Sequence, residues 1–371
     1  MMRETSTAQY EANRTGGVPP FEQVRPSVWA LPLAMPSVQL PYVISYFVVD
    51  DRGFVHVIDP GWDSDENWDR VLAALESIGS SLNRVASVTL THLHRDHVGM
   101  THRYREATPA RIQLSRVEQA AIWASTKGAS HGAAATTTVT VVTSDAASET
   151  TATATGAARS ETAETAETAE TAASQAAALA ESWGVPAERR PELEVAFGAR
   201  EDQIDIAGDV LLDDGDDLGV PGSSIRVIAT PGHTYGSISL AAANEQLLFT
   251  GDHILPAIFA GLGLGGPTSS NPVSDYVGSI EKLQPYDAFE VLPGHGYRFT
   301  GLAERRAESA EHHLKRSREA AAVLAANPSA TIWEVASQLH WTAGWENLQG
   351  PYLRSALAQT AWHVERAPQA R

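Results

Sequence analysis

The stretch THLHRDHVGM (residues 91–100) places His92, His94 and His97 within six positions, with Asp96 among them. The whole chain has 13 histidines in 371 residues, so the crowding is local. Three imidazoles and a carboxylate at this spacing suit a divalent metal site. On an extended segment His92 and His94 point the same way, whereas Asp96 and His97 follow after the chain has turned and can reach a second ion. Further donors recur along the chain: His233 in TPGHT, Asp252 in TGDH and His295 in LPGHG. Each lies just past an apolar run and close to a glycine, which lets the backbone turn sharply and approach a site. Two imidazoles of the first cluster with His233 make one set of three nitrogens. Asp96, His97 and His295 make another. Asp252 carries two oxygens and can bridge both sets, leaving an open position on each ion for a shared water, as metal-assisted hydrolysis requires. In that chemistry Asp96 can also accept a proton during turnover.

The chain contains no cysteine. Disulfides, thiolate ligands and a Cys nucleophile are therefore excluded, and the all-nitrogen, all-oxygen donor set suits two zinc ions, with iron or manganese as alternatives. The formal charge of −18 repels phosphate backbones and anionic lipid, which argues against nucleic-acid and membrane partners and for a small-molecule substrate. The polar N-terminus lacks the apolar core of a secretory signal, and no apolar run is long enough to span a bilayer; a cytoplasmic location is expected. The oligomeric state is not readable.

The elements that would position these residues follow from periodicity. Residues 1–20 read as a flexible arm. Strand signals start at Val28; the runs 42–49 and 54–59 flank DDRG as a hairpin. The segment after Asp63 and Ser64 reads as a helix with either residue as N-cap, and residues 84–90 as a strand buried on both faces, with the His92–His97 cluster at its end. Residues 127–180 are low-complexity, with a repeating ETA triplet and no apolar stripe, and are expected to be a disordered insertion with a helix emerging near 172–184. Strands resume at 209–214, 224–230, 237–243, 245–253 and 288–296, with a helix near 272–284 between the last two. A long helix from Leu302 to Asn327, a capping box at Thr331-x-x-Glu334 and a final helix form a small terminal unit, with the tryptophans near 333–345 as its core. Residues 298–371 hold nine Lys or Arg against seven Asp or Glu, no footprint for a phosphate backbone. His312 and His313 read as part of a solvated face, and His56, His102, His131, His340 and His363 carry no assigned role.

The pattern His92-x-His94-x-Asp96-His97, then His233, Asp252 and His295, resembles the metallo-β-lactamase superfamily over roughly residues 25–300. The resemblance implies an α/β fold, a four-layer αββα sandwich with metals at one edge between the sheets. It makes Asp59, in VIDPG, a buried group that steadies the metal site by hydrogen bonds. A bridging Asp252 is more typical of glyoxalase II-like thioesterases, lactonases and RNA-processing members. GDHILP, NPVSDYVGSIEKL and VLPGHGYRF resemble the lactamase-β-like subgroup, which implies a winged-helix-like C-terminal unit over 301–371, after a main domain over 21–300. Three reactions remain open: hydrolysis of a small acyl ester, thioester or lactone; phosphodiester or single-strand RNA cleavage; and persulfide oxidation, which in similar proteins uses one iron. Tyr235 and His253 are candidate substrate contacts, and residues 260–272 form either a lip over the site or an inert loop.

Overall fold

The computed structural model describes residues 2–37, 39–127, 174, 177–193, 206–265, 269–341 and 344–367. Two twisted sheets face each other. One has six strands in the order β1 (Arg3–Glu4), β13 (Phe299–Thr300), β12 (Glu290–Pro293), β11 (Leu247–Gly251), β10 (Ile238–Ala242) and β9 (Ile225–Ala229). The other has seven: β2 (Glu22–Arg25), β3 (Val28–Ala34), β4 (Tyr42–Val49), β5 (Val55–Ile58), β6 (Val85–Thr89), β7 (Arg111–Ser115) and β8 (Val210–Leu212). Antiparallel hairpins link β3, β4 and β5, and β5 to β8 run parallel, which puts crossover segments on the outer face.

The layering follows from the period-2 alternation of the strands. Along β4, Tyr42, Ile44, Tyr46 and Val48 enter the core between the sheets, with Leu240 and Phe249 opposite. Val43 and Phe47 point the other way, against a helix over Asp65–Ser77 that supplies Val71, Ala74 and Leu75. Leu248 and Val291 face outward from the second sheet onto Tyr276 and Ile280 of the helix Pro272–Lys282. Strands buried on both faces must be apolar at every position, and β4, β10 and β11 are largely so. The result is the αββα sandwich.

The N-terminal arm is not free. Arg3–Glu4 pairs with β13, and Thr7–Thr15 is a helix capped by Ser6. Gln9 is fully buried; its side-chain oxygen accepts the Arg298 backbone N–H at 3.0 Å. A polar stretch carries no periodic signal of such docking, because hydrogen bonds rather than apolar area hold it. The insertion at 127–180 lies almost entirely outside the described residues; where they resume, 177–182 are helical.

Beyond Thr300 the chain is helical: Leu302–Ala326, Ile332–Ala336 and Gly350–Arg366, with the Thr331–Glu334 capping box formed. Among the described residues no strand lies there, so the winged part of the expectation finds no wing. Nor is residue 301 a packing boundary. Leu302 belongs to the layer against the second sheet, and Ala180, Val185 and Leu193, from just after the insertion, pack with Leu348, Leu353 and Leu357. His312 and His313 do not form a solvated face. His313 is buried, edge-on to Tyr276 at 4.9 Å, and His312 stacks on Phe259 at 4.0 Å. Among the described residues no helix is long and apolar enough to cross a membrane.

Candidate metal centre

The expected donors converge at one edge of the sandwich, each at the end of a strand. His92 and His94 follow β6, His233 follows β9, Asp252 follows β11 and His295 follows β12. His97 stands on a short helix, Arg95–Val98, that turns the chain after His94. Ligand atoms of His92, His94, His233 and Asp252 lie within 4.8 Å of one another, and so do those of Asp96, His97 and His295. Asp252 stands between the groups: Oδ1 is 3.3 Å from His97 Nε2 and 3.5 Å from His295 Nε2, and Oδ2 is 3.6 Å from His233 Nε2. Asp96 Oδ2 is 3.0 Å from His295 Nε2. All seven expected residues are thus brought together.

Their hydrogen bonds test whether a cation fits. His97 Nδ1 pairs with Asp59 Oδ2 at 2.8 Å, His295 Nδ1 with the Tyr42 carbonyl at 2.8 Å and His233 Nδ1 with the Gly261 carbonyl at 2.7 Å. His94 is reversed: its Nε2 faces the Leu264 carbonyl at 3.2 Å. Each outward nitrogen facing an oxygen therefore carries a proton, and the inward nitrogen is the one that presents a lone pair when the ring is neutral. Those lone pairs crowd: His97 Nε2 and His295 Nε2 are 3.3 Å apart, and His94 Nδ1 is 3.0 Å from both His92 Nε2 and His233 Nε2. Asp252 Oδ1 is buried with no hydrogen-bond donor. Lone pairs facing one another over a buried carboxylate repel unless a cation lies among them, so the residues fit a metal.

Electrostatics agree. Burial, and then its imidazole neighbours, hold His92 well below its ordinary range, and burial with His94 pushes His233 down to about 4. His92 and His233 therefore stay neutral and able to ligate near pH 7. Burial also lowers His97, but Asp252, Asp96 and Asp59 outweigh it and raise the group well above its ordinary value; the carboxylates demand a positive charge there. Burial would raise Asp96, yet His97 and His295 bring it down to about 2.

Asp59 organises both sets. It accepts from the Thr91 backbone N–H at 2.7 Å, the Thr91 hydroxyl at 2.7 Å and His97 Nδ1. With its hydrogen committed to Asp59, the Thr91 hydroxyl oxygen accepts from His92 Nδ1 at 3.0 Å. Gly294 is required by space: a Cβ there would lie 2.5 Å from His97 Cε1 and 2.6 Å from Asp252 Oδ1.

One residue escaped the sequence reading. Glu118, on the helix Arg116–Lys127, is 1% exposed. Its Oε1 accepts from the Leu93 backbone N–H at 2.8 Å and the Thr234 hydroxyl at 2.7 Å, and its Oε2 from the Gly236 N–H at 2.9 Å. It ties the loop between His92 and His94 to the loop bearing His233. Two further candidates, Tyr235 and His253, have partners of their own. The Tyr235 hydroxyl shares a 3.1 Å hydrogen bond with Ser269. His253 is buried and packs on Tyr276 with centroids 4.7 Å apart, and it belongs to neither ligand group. Residues 261–264 are tied to the cluster, as the Gly261 carbonyl accepts from His233 and the Leu264 carbonyl from His94.

An αββα sandwich with a histidine–aspartate cluster at the strand ends defines a metal-site fold. Residues 40–134 and 173–295 match the pattern of the metallo-beta-lactamase superfamily, and the chain belongs to that family. It is 34% identical over 134 residues to a beta-lactamase-like protein 2 homolog of Caenorhabditis elegans, covering 36% of this chain and 43% of that protein. It is 28% identical over 136 residues to an atrochrysone carboxyl ACP thioesterase of Aspergillus chevalieri, covering 35% and 42%. The matched stretches thus span about two fifths of these curated relatives. Among solved structures, a metallo-beta-lactamase family protein from Thermus thermophilus superposes with a TM-score of 0.64 at 22% identity, covering 94% of this chain and 95% of that one. A beta-lactamase domain protein from Burkholderia ambifaria gives 0.62 at 17%, covering 94% and 87%. These two similarities concern the fold.

Proposed function

We propose that the protein is a metal-dependent hydrolase with two zinc ions, acting on a small acyl ester, thioester or lactone. The observation that carries this reading is the sharing of Asp252: its two oxygens face different imidazole groups, so one carboxylate serves both. Bound metal would supply a water of lowered pKa and Lewis-acid polarisation of the acyl carbonyl. The protein's own residues do the rest. His92, His94 and His233 would hold one ion, and Asp96, His97 and His295 the other. Asp59, Tyr42 and the lip carbonyls keep the imidazoles in the ligating tautomer. Asp96 and His94 are the less buried members and mark the solvent side, where substrate enters. Asp96 can take a proton there. The donor set needs no serine or cysteine nucleophile.

The thioesterase named among the relatives supports an acyl substrate, and the near-neutral balance of charge after Thr300 counts against a phosphate backbone. The test is metal analysis of the purified protein together with turnover of p-nitrophenyl esters, thioesters, lactones, bis-p-nitrophenyl phosphate and single-stranded RNA. Two zincs per chain with acyl turnover are expected. Asp252→Asn should lower turnover about a hundredfold or more while the fold survives. One iron per chain, or RNA cleavage that disappears in His94→Ala, would replace this assignment.

A further inference from the structure

We infer that Trp362, on the C-terminal helix, is a positioning residue for the His92–His94–His233 side of the metal centre, acting through the backbone of residues 261–264. The inference rests on the two-metal reading above.

The short lip 261–264 decides how two of those three imidazoles stand. The Gly261 carbonyl accepts from His233 Nδ1 at 2.7 Å, and the Leu264 carbonyl accepts from His94 Nε2 at 3.2 Å. These bonds set opposite tautomers, so that His233 presents Nε2 and His94 presents Nδ1, 3.0 Å apart. The lip backbone is also tied to the His233 loop: Gly263 N–H donates to the Gly232 carbonyl at 2.8 Å, and Leu264 N–H to the His233 carbonyl at 2.9 Å. A displacement of the lip therefore moves both ring orientations together.

What holds the lip from behind is the indole of Trp362. Gly263 has φ +65°, and a Cβ built there would lie 2.0 Å from Trp362 Cη2 and 2.5 Å from Cζ3. The ring occupies the space that any other residue would need, directly against the lip backbone. Leu262, fully buried, anchors the lip in the helical layer with Ile254, Val273 and Tyr276. The helix bearing Trp362 is also held by hydrogen bonds from outside residues 261–264. The Trp362 carbonyl accepts from Asn271 Nδ2 at 2.9 Å, and the same amide donates to Glu365 Oε2 at 3.0 Å. Arg366 Nε donates to Ser274 Oγ at 3.2 Å, and His363 Nδ1 pairs with Ser317 Oγ at 2.9 Å. The C-terminal helix is thus clamped to the helix Pro272–Lys282 and to the long helix, and it presents Trp362 as a rigid stop. The Asp96–His97–His295 side draws its outward bonds from Asp59 and Tyr42, not from the lip. The two sides of the centre should therefore respond differently to loss of the indole.

Zinc alone is titrated into the metal-stripped full chain against a chromophoric chelator, with thermal melting of the metal-free protein in parallel. The wild type is expected to take up two equivalents. In Trp362→Ala one equivalent should bind about tenfold more weakly or worse, while the other keeps wild-type affinity. Trp362→Phe, which refills most of the space, should restore the weakened equivalent to within a fewfold. Gly263→Ala approaches the contact from the lip and should weaken the same equivalent, which covers the case in which Trp362→Ala does not fold. Two equivalents at wild-type affinity in Trp362→Ala or Gly263→Ala would overturn the inference. So would equal weakening of both equivalents with a fall in the metal-free melting temperature, since that describes a purely structural contact. A wild type that takes up no zinc removes the metal-centre reading itself, a separate failure visible before any variant is compared.

Discussion

Asp59 sits at φ +54°, a conformation that costs a non-glycine residue on the order of 1–3 kcal/mol. The strain persists because its side chain collects two donors from Thr91 and one from His97, and through Thr91 it also orients His92. Asp59→Ala should lower metal affinity on both sides of the centre by about 10- to 100-fold, measured by chelator competition; an unchanged affinity would contradict its organising role. Glu118 makes a complementary prediction. Burial raises its carboxyl above the ordinary range, and three hydrogen bonds from Thr234, Leu93 and Gly236 oppose that rise. Glu118→Ala leaves the Leu93 and Gly236 N–H groups without their acceptor, at about 1–3 kcal/mol each. It should depress both the unfolding free energy and the affinity of the His92–His94–His233 side, read by denaturant titration and zinc binding. The seven clustered donors were legible in the linear chain because metal coordination restricts donors to a few residue types. Glu118 was not, because an acidic residue on an amphipathic helix is ordinarily a solvated one; only the packing of that helix over β7 buries it. His253 is a neighbour of Asp252 in sequence, but it packs on Tyr276 of the helical layer and belongs to neither donor group.

At the scale of elements, the centre is built from turns that leave the ends of β6, β9, β11 and β12. The turn after β12 is closely packed. The Gly294 carbonyl accepts from Ile44 N–H at 2.7 Å, and the Tyr46 hydroxyl donates to the Pro293 carbonyl at 2.7 Å. β4 of the facing sheet holds the turn through both bonds, and the Gly294 N–H donates to the Gly251 carbonyl of its own sheet at 2.8 Å, with Gly294 against His97 and Asp252. Gly294→Ala should disturb both ligands at once and abolish binding of at least one zinc equivalent, with little change in far-UV circular dichroism; two tightly bound equivalents in this variant would contradict the close packing. The strands with clear alternation were readable from pattern, and so was the Thr331 capping box; of the two N-cap candidates Asp63 and Ser64, the structure selects Ser64. β7, with Arg111 and Gln113 within five residues, was not, since its burial depends on strands on either side. β1 and β13 are two residues each, too short for any periodicity.

Across the whole molecule, the helical layer over the second sheet buries imidazoles that play no part in ligation. Burial, reinforced by His312, His363 and Arg316, pushes His313 down to about 2. Burial, with Arg316, Arg366 and His312, pushes His363 down to about 3. Both groups are depressed in the fold, so the neutral form is favoured there and the unfolded chain binds more protons at mildly acidic pH. Stability is accordingly full above about pH 6.5 and is lost as the pH falls toward the folded values, at up to about 1.4 kcal/mol per pH unit for each histidine. Denaturant titrations of the metal-free protein from pH 7 to 5 should display this slope, and His313→Leu should flatten it; an equal slope in the variant would contradict the assignment. The chain alone determined the donor types, their order, and the apolar strands that end beside them, because metal chemistry and sheet burial each leave a mark on local sequence. Only the tertiary structure decided which nitrogen of each imidazole faces inward, that Glu118 links two ligand loops, that the N-terminal segment completes a sheet, and that the C-terminal helix backs the lip. Those facts depend on contacts between segments tens to hundreds of residues apart, and no local pattern encodes the distance at which such segments finally meet.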